Sequence, residues 1–238
     1  LRVPRPLTEE VMREARQRGV YEECGGVGRV GESVEVPVTR PFGGYETVEQ
    51  DEPVRRRVSL ADFVDDPPPY RIVGDVALVR FDDADDEREQ AIAEALDEIH
   101  DIRVVLDELG VEGETRVPKT RHVSGEHDTE TVHRENGFEF ALDPSRVMSS
   151  VGNAEERVRM RRTVEEDETV FDMFAGIGYF AVPAAVGGAS VVATEIRETA
   201  YNYLVENAHR NGVADRLAAH HDQCREVWVY ANRVIIAH

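Results

Sequence analysis

Lysine is almost absent from this sequence, since Lys119 is the single lysine among 28 basic residues. Against these stand 48 acidic residues, which give a net charge of -20. A charge of this sign normally repels nucleic acid. At about 1 M salt, however, the Debye length is only about 3 Å, and an acidic, lysine-poor surface is typical of adaptation to a salty cytoplasm. The alternative is an ordinary acidic protein that avoids polyanions, so the charge alone does not exclude RNA.

Cysteine is also scarce, with only Cys24 and Cys224, far apart in the sequence. No Cys-x-x-Cys pair is present, which argues against a disulfide framework and against a structural zinc site. There is no signal peptide and no apolar run of membrane-spanning length. We therefore predict a cytoplasmic protein without a metal or a membrane segment.

Three successive prolines, Pro67–Pro69, cannot continue a helix or a central strand, and they mark a linker. Before them, residues 1–66 predict an irregular N-terminal region of loops and short strands, with a helix near Thr8–Arg18. After them, residues 67–143 alternate strand-like segments with a helical one and predict a small α/β module. Residues 144–238 form the third region.

The third region alternates strand and helix patterns. A helix is expected near Asn153–Arg162 and is followed by four strands. One helix lies between the first and second strands, and another lies between the second and third. The strand segments are Thr169–Phe174, Ser190–Glu195, Leu217–Asp222 and Asn232–His238. This alternation predicts an α/β, Rossmann-like fold with a parallel, doubly wound sheet. Complete folds of this type have further strands, so we expect the sequence to be truncated at its C-terminus, and its start at Leu1 suggests the same for the N-terminus.

The strongest local motif is the turn between the first of these strands and the next helix, which reads Asp-Met-Phe-Ala-Gly-Ile-Gly-Tyr-Phe. Gly176 and Gly178 would allow backbone to approach a ligand closely, and the helix that follows offers free N–H groups. The motif is not the full dinucleotide fingerprint, because Val182 replaces its third glycine. By itself, a glycine turn is also compatible with no ligand at all.

Two further signals end the next two strands. Glu195 can accept hydrogen bonds from both hydroxyls of a ribose, and Asp222-Gln223 could bind an adenine edge. Alternatively, Glu195 is a solvated strand end and Asp222 caps a helix. Because ligands bind at the carboxyl ends of parallel strands, the three signals together predict a nucleoside pocket.

The run His220-His221-Asp222-x-Cys224 invites a metal-site interpretation. Adjacent residues on a strand point to opposite faces, so the two histidines are not expected to share one ion. We interpret Cys224 as a buried or bystander thiol.

The Asp172–Phe180 motif resembles the first motif of a family of class I methyltransferase-fold enzymes that act on position 37 of tRNA. That family joins a guanine-N1 methyltransferase and the wybutosine-synthesising aminocarboxypropyltransferase, and the resemblance covers roughly residues 68–238. It includes Ile72–Ala77, Val111–Pro118 and Thr131–Gly137, which match the small module preceding the catalytic domain. The resemblance, which is to the archaeal type, implies S-adenosyl-L-methionine as donor and tRNA as partner, with the small module contacting tRNA. We expect a monomer, and the acidic composition described above predicts a halophilic archaeon as its source.

Two places favour the aminocarboxypropyl branch within this family. The segment Val147–Arg157 is similar to its Ser-x-Gly-Asn…Glu-Arg pattern and lacks the Arg-Leu pair of the methyltransferase branch. The fourth strand, Asn232–His238, has no proline where the methyltransferase branch carries an Asn-x-Pro-Pro-like stretch. The resemblance therefore implies transfer of the 3-amino-3-carboxypropyl group to a tricyclic wyosine-type base of tRNA(Phe).

The same resemblance implies which residues bind the donor, namely Ser150, Arg157, Phe174, Gly176, Gly178, Glu195, Asp222 and Gln223. From the residues alone, Ser150 could instead cap a helix and Arg157 could lie on a solvated face. No catalytic base can be named. Guanine-N1 methyl transfer and a non-catalytic nucleoside- or RNA-binding fragment are the alternatives.

Overall fold

A computed structural model describes residues 1–22, 25–49, 58–82 and 84–236, so Cys24 and the last two residues of the predicted fourth strand lie outside the described part. The chain divides into two compact units, 1–62 and 63–238. Within the described ranges, no helix is both long and apolar enough to cross a bilayer.

The described residues of the first unit form three strands and one α-helix: β1 (Arg2–Pro4), α1 (Thr8–Gln17), β2 (Gly28–Val30) and β3 (Ser33–Glu35). The antiparallel sheet has the order β1-β3-β2, and Val3, Val11 and Val36 are buried in a small apolar core. The described residues include short strands and a helix that begins at Thr8, and Val11 of α1 packs against the sheet in this core.

The second unit holds the remaining elements. They are β4 (Tyr70–Val73), β5 (Val76–Val79), α2 (Asp86–His100), β6 (Val104–Glu112), β7 (Val117–Gly125), β8 (Thr131–Glu135), β9 (Phe138–Leu142), α3 (Ala154–Thr163), β10 (Thr169–Asp172), α4 (Ala181–Val186), β11 (Ser190–Thr194), α5 (Glu198–Arg210), β12 (Leu217–His220) and β13 (Arg233–Ile235).

The predicted parallel sheet is present, with strand order β12-β11-β10-β13 and every neighbouring pair parallel. Its two central strands, β10 and β11, are short and largely buried apolar runs that include Val170 and Phe171, as expected for parallel strands covered on both faces. The outer strands β12 and β13 are more exposed. The order reverses at β10, because β11 lies on one side of it and β13 on the other. A ligand crevice is expected outside the carboxyl ends of the strands at such a reversal.

The segment before this sheet forms a four-stranded sheet, β4-β5-β6-β7, and a separate β8–β9 hairpin. Tyr70–Phe81 gives two antiparallel strands around a Gly74-Asp75 turn. One continuous core includes Leu78 and Phe140 from this part and Leu204 and Ile235 from the other. This shared core extends across the predicted boundary near residue 143.

Asn207 of α5 and Asn211, which directly follows that helix, close the edge of β9. Asn207 is fully buried; its Oδ1 accepts from the Ala141 N–H at 2.7 Å, and its Nδ2 donates to the Ala141 and Ile177 carbonyls. Asn211 exchanges the same pair of hydrogen bonds with Glu139. A helix rises about 6 Å over four residues and a strand nearly 7 Å over two, so the two spacings match and the side chains pair with β9 as a strand would.

Candidate active site

A cavity of about 400 Å³ opens at the carboxyl ends of β10 and β11. Its walls come from the glycine turn after β10, from the loop at 147–150 and from the tip of the β6–β7 hairpin. A second cavity of about 140 Å³ lies beside it, next to the end of β12. Phe174, Glu195 and Ile196 line both cavities, so the two spaces are neighbours across a common wall.

The two glycines of the turn have different tasks. Gly176 lines the larger cavity at φ +56°, and a Cβ added there would meet no atom within 4 Å. Gly178 has φ +95°, and a Cβ there would lie 2.9 Å from Cδ1 of Leu204. Gly176 therefore leaves backbone open to a ligand, whereas Gly178 allows α5 to pack closely against the turn.

Glu195 follows β11 and is held by backbone donors on both sides. Its Oε2 accepts from the Gly176 N–H at 2.9 Å and its Oε1 from the Arg197 N–H at 2.7 Å. Each oxygen keeps a further lone pair, and the side chain lines both cavities. A carboxylate fixed in this way is suited to accept the two hydroxyls of a ribose.

The remaining predicted nucleoside contacts surround the smaller cavity. Asp222, Gln223 and the 42% exposed Phe174 all line it. Asp222 Oδ1 accepts from the Gln223 N–H at 2.8 Å, which fixes the carboxylate next to the amide side chain. The structure thus brings together Glu195, Phe174, Asp222 and Gln223 around one pocket, and their binding of a nucleoside stays a prediction.

Ser150 lines the larger cavity, and its Oγ accepts from Asn153 Nδ2 at 2.8 Å. Arg157 is fully buried and is not among the residues lining the two cavities. It donates from Nη1 to the Ser150 carbonyl at 2.7 Å. The idea of a solvated Arg157 is therefore wrong, and its direct contact with a donor stays a prediction.

The buried Arg157 is balanced by Glu135. Nη2 donates to Glu135 Oε2 at 2.9 Å, Nε donates to Oε1, and the guanidinium carbon lies 4.6 Å from the centre of the Tyr179 ring. Burial by itself would raise the pKa of Glu135, but hydrogen bonds from His133 and Arg157 outweigh it and hold that pKa below its ordinary value. Arg157 and Glu135 are therefore a charged pair beneath the cavity wall.

Sequence reasoning missed the contribution of the β6–β7 hairpin. Glu114, Thr115 and Arg116 at its tip line the larger cavity together with Tyr179. Arg116 has a left-handed backbone at φ +52° and an exposed side chain. The segment Val111–Pro118 was noticed only as part of a resemblance, because nothing in its local pattern indicates that the hairpin reaches the other half of the unit.

Asp172 ends β10 beneath the turn and is 1% exposed. Its Oδ1 accepts from the Phe174 N–H at 3.3 Å, while Oδ2 is buried without a hydrogen bond from the described residues. Burial, aided by the charge of Glu195, raises the pKa of Asp172 to about 7 although the Phe174 N–H opposes the shift.

Replacing Asp172 by Asn is expected to stabilise the protein above neutral pH. An acid whose pKa is raised on folding binds a proton in the native state that the unfolded state has lost, so stability falls as pH rises from about 4 to about 7. Urea unfolding of D172N should show about 2–4 kcal/mol more stability than wild type at pH 8 and little difference near pH 4. Parallel pH profiles for the two proteins would contradict this.

Among the described residues, no group of three or more His, Cys, Asp or Glu side chains is arranged to hold a metal ion. His221 Nε2 instead lies 3.0 Å from the Ile196 carbonyl, and its ring stacks on Tyr201. Cys224 is a half-buried free thiol that lines the smaller cavity.

Comparison with protein families finds two adjacent matches. Residues 60–129 match the TYW2 N-terminal domain, and residues 131–238 match the TRM5/TYW2 methyltransferase domain. The junction between the matches falls before β8, so the β8–β9 hairpin goes with the parallel sheet whose helix α5 covers it.

Similarity to individual proteins extends over both branches of this family. The chain is 34% identical to tRNA (guanine(37)-N(1))-methyltransferase Trm5b from Pyrococcus abyssi, over 99% of this chain and 75% of that protein. It is 41% identical to tRNA(Phe) (4-demethylwyosine(37)-C(7)) aminocarboxypropyltransferase from Pyrococcus horikoshii over 65% of this chain and 55% of that protein. The chain is also 40% identical to the Methanocaldococcus jannaschii aminocarboxypropyltransferase, over 60% of this chain and 56% of that protein. The chain thus spans little more than half the length of these two aminocarboxypropyltransferases.

Solved structures of the same proteins show the same fold. P. abyssi Trm5b superposes with a TM-score of 0.68 at 32% identity, covering 98% of this chain and 74% of that one. P. horikoshii TYW2 in complex with MeSAdo superposes with a TM-score of 0.61 at 35% identity, covering 74% of this chain and 63% of that one. M. jannaschii TYW2 in complex with AdoMet gives 0.53 at 32% identity, covering 71% and 64%. The fold is thus the class I methyltransferase fold, and the chain belongs to the TRM5/TYW2 family.

Proposed function

We propose that this protein transfers the 3-amino-3-carboxypropyl group of S-adenosylmethionine to C7 of 4-demethylwyosine at position 37 of tRNA(Phe). The observation that carries the proposal is the loop at 148–153, whose residues Met148, Ser149, Ser150 and Asn153 line the larger cavity. This loop has the aminocarboxypropyl-type sequence and lacks the Arg-Leu pair. The relatives of 40% and 41% identity bear that activity in their names, and solved structures of such relatives hold AdoMet or MeSAdo.

The chemistry is a displacement at carbon. C7 of the base attacks the γ-carbon of the donor's methionine arm, the bond from that carbon to sulfur breaks, and its electron pair stays on sulfur as methylthioadenosine leaves. C7 then loses its proton to restore the aromatic base. A sulfonium has three carbons open to attack, so whichever carbon faces the nucleophile reacts, and the protein contributes mainly by placement.

The cavities offer a place for each part of the donor. Asp222, Gln223 and Phe174 would hold the adenine, and Glu195 the ribose, in and beside the smaller cavity. The methionine arm would extend into the larger cavity along Gly176 and the 148–153 loop. The acceptor base would enter from the side of the β6–β7 hairpin tip, where Arg116 is exposed.

Methyl transfer to guanine N1 at the same tRNA position is the second candidate. One observation favours it: the alignment with P. abyssi Trm5b covers 99% of this chain, including the first unit, whereas that with the P. horikoshii aminocarboxypropyltransferase covers 65%. The Trm5b alignment, however, has the lower sequence identity, 34% against 41% for the P. horikoshii aminocarboxypropyltransferase.

A product assay separates the two candidates. The protein would be incubated in high salt with S-adenosylmethionine and tRNA(Phe) carrying 4-demethylwyosine, or carrying unmodified guanosine 37, and the products analysed by mass spectrometry. With the first tRNA only, we expect addition of an aminocarboxypropyl group to the tRNA and release of methylthioadenosine from the donor. Addition of a methyl group with release of S-adenosylhomocysteine would refute the proposal and support the second candidate.

Replacing Glu195 by Ala is expected to weaken S-adenosylmethionine binding about 100-fold. The variant loses two charge-assisted hydrogen bonds to ribose hydroxyls, each contributing about 1.5 kcal/mol. Isothermal titration calorimetry with S-adenosylmethionine measures the change. Glu206→Ala is the control, because Glu206 forms an exposed pair with Arg210 on α5. Equal affinity in the Glu195 and Glu206 variants would show that Glu195 does not hold the ribose.

We further propose that the module at 67–143 contacts tRNA, that the protein is a cytoplasmic monomer, and that its acidic surface is an adaptation to high salt. Support for the last point comes from the charge of -20 and the single lysine. A fall in unfolding midpoint by tens of degrees on dilution from molar to 0.1 M potassium chloride would agree with it.

A further inference from the structure

The loop that lines the donor cavity is held from behind by two arginines that come from different parts of the second unit. Ser149 and Ser150 have no regular secondary structure. Arg71 binds the carbonyl of Ser149, and Arg157 binds the carbonyl of Ser150. Two successive peptide groups of the cavity wall are thus each fixed by a guanidinium.

Arg71 lies on β4, nearly eighty positions before the loop. Its Nη1 donates to the Ser149 carbonyl and to Ser149 Oγ, both at 2.9 Å, and its Nη2 donates to Glu108 Oε1 at 2.6 Å. The guanidinium is a planar fork, so contact with Glu108 on one side and Ser149 on the other fixes its orientation. Ser149 itself is 5% exposed, which makes its hydrogen bonds costly to lose.

Fixing these carbonyls also fixes the orientation of the loop's peptide groups relative to the cavity. A trans peptide places its C=O and N–H on opposite sides, so the Ser150 N–H points away from Arg71. Ser149 and Ser150 both line the larger cavity. The contacts of Arg71 therefore fix the orientation of the peptide group between Ser149 and Ser150, and with it the position of Ser150 in the cavity wall.

We propose that Arg71 is a positioning residue for the methionine arm of the donor, acting through Ser149 and Ser150. The proposal rests on the proposed function for the identity of the donor and adds that the small module forms part of the donor site. Arg71 touches no cavity space itself, since neither cavity includes it among its lining residues. Displacement of the arm by about 1 Å can cost on the order of 100-fold in rate.

The competing explanation is that Arg71 is a structural strut of the small module. Arg103 is such a strut: it binds Asp75 at 2.9 Å and the carbonyls of Asp128 and Glu130. Its side chain is 23% exposed against 28% for Arg71, and none of its partners lines either cavity. Arg103 is thus a matched control.

The test compares Arg71→Gln with Arg103→Gln in the full chain. For each variant we would measure the unfolding midpoint, the affinity for S-adenosylmethionine by calorimetry, and the kcat and donor KM of group transfer. We expect similar losses of stability in both. Only Arg71→Gln should lower the donor affinity or the kcat of group transfer, by about tenfold. It should also raise the ratio of S-adenosylhomocysteine to methylthioadenosine among the products.

Arg71→Lys keeps the charge opposite Glu108 but cannot hold Ser149 and Glu108 with one fork, so we expect an intermediate donor KM. If Arg71→Gln does not fold, this variant carries the test. Wild-type donor affinity, kcat and product ratio in a folded Arg71 variant would overturn the proposal. Should wild type itself release only S-adenosylhomocysteine, the proposed function fails, while the donor affinities still decide the role of Arg71.

Discussion

Asn207→Asp is expected to lower the free energy of unfolding by about 3–5 kcal/mol at neutral pH. The buried Asn207 amide donates to the Ala141 carbonyl at 3.1 Å and to the Ile177 carbonyl at 2.9 Å. A carboxylate of the same shape has no donor, so it would be buried against two carbonyl oxygens without compensation. Urea unfolding in high salt would measure the loss, which should shrink in acid as the new carboxyl group takes up a proton.

Asn202→Asp provides the control on the same helix, because Asn202 is exposed. A surface change of this kind normally alters stability by less than about 0.5 kcal/mol. If both asparagine variants lose the same amount, the pairing of α5 with β9 and with the glycine turn does not stabilise the fold as described.

Breaking the pair between Arg157 and Glu135 is the second change with a large expected effect. Arg157→Met leaves the buried Glu135 with His133 as its remaining side-chain partner, and removal of one partner of a buried ion pair typically costs about 3–5 kcal/mol. The double variant Arg157→Met/Glu135→Gln removes both charges and should recover part of that loss. A double-mutant cycle in urea measures the coupling between the two residues.

Arg159→Met is the matched control for this cycle. Arg159 lies two residues further along α3, is 60% exposed, and pairs with Glu156 at the surface. Exposed pairs contribute about 0–1 kcal/mol. A loss of that size for Arg157→Met, or no recovery in the double variant, would mean that the buried pair is not an important part of the loop's support.

The parallel sheet and the pocket at its edge could be predicted because the responsible signals are local. Apolar strands of three to five residues, a glycine turn and a carboxylate at a strand end each occupy a short stretch. The rule that ligands bind at carboxyl ends of parallel strands then brings Glu195 and Gln223 together. Predicted strands were too long by one or two residues at their ends, since Phe174, Glu195 and Asp222 already belong to the loops that line the pocket.

What could not be predicted depends on contacts between distant positions. Arg157 looks like a helix-surface arginine, and only the placement of Glu135 and Tyr179 around it shows that it is buried. Arg71 and Arg116 likewise acquire meaning only when β4 and the hairpin are folded against the 147–150 loop. The core that both parts of the second unit share has the same origin, because no local pattern shows which apolar faces meet.

The hydrogen bonds that Asn207 and Asn211 form with β9 also affect whether two molecules can associate through that strand. An uncovered strand edge offers unpaired N–H and C=O groups to any other chain, and it is a common starting point for aggregation. Asn207 and Asn211 occupy those groups of β9 at Ala141 and Glu139. In molar salt, where charge repulsion between acidic molecules is screened over about 3 Å, this direct blocking of an edge would keep molecules from joining strand to strand when their net charge no longer does.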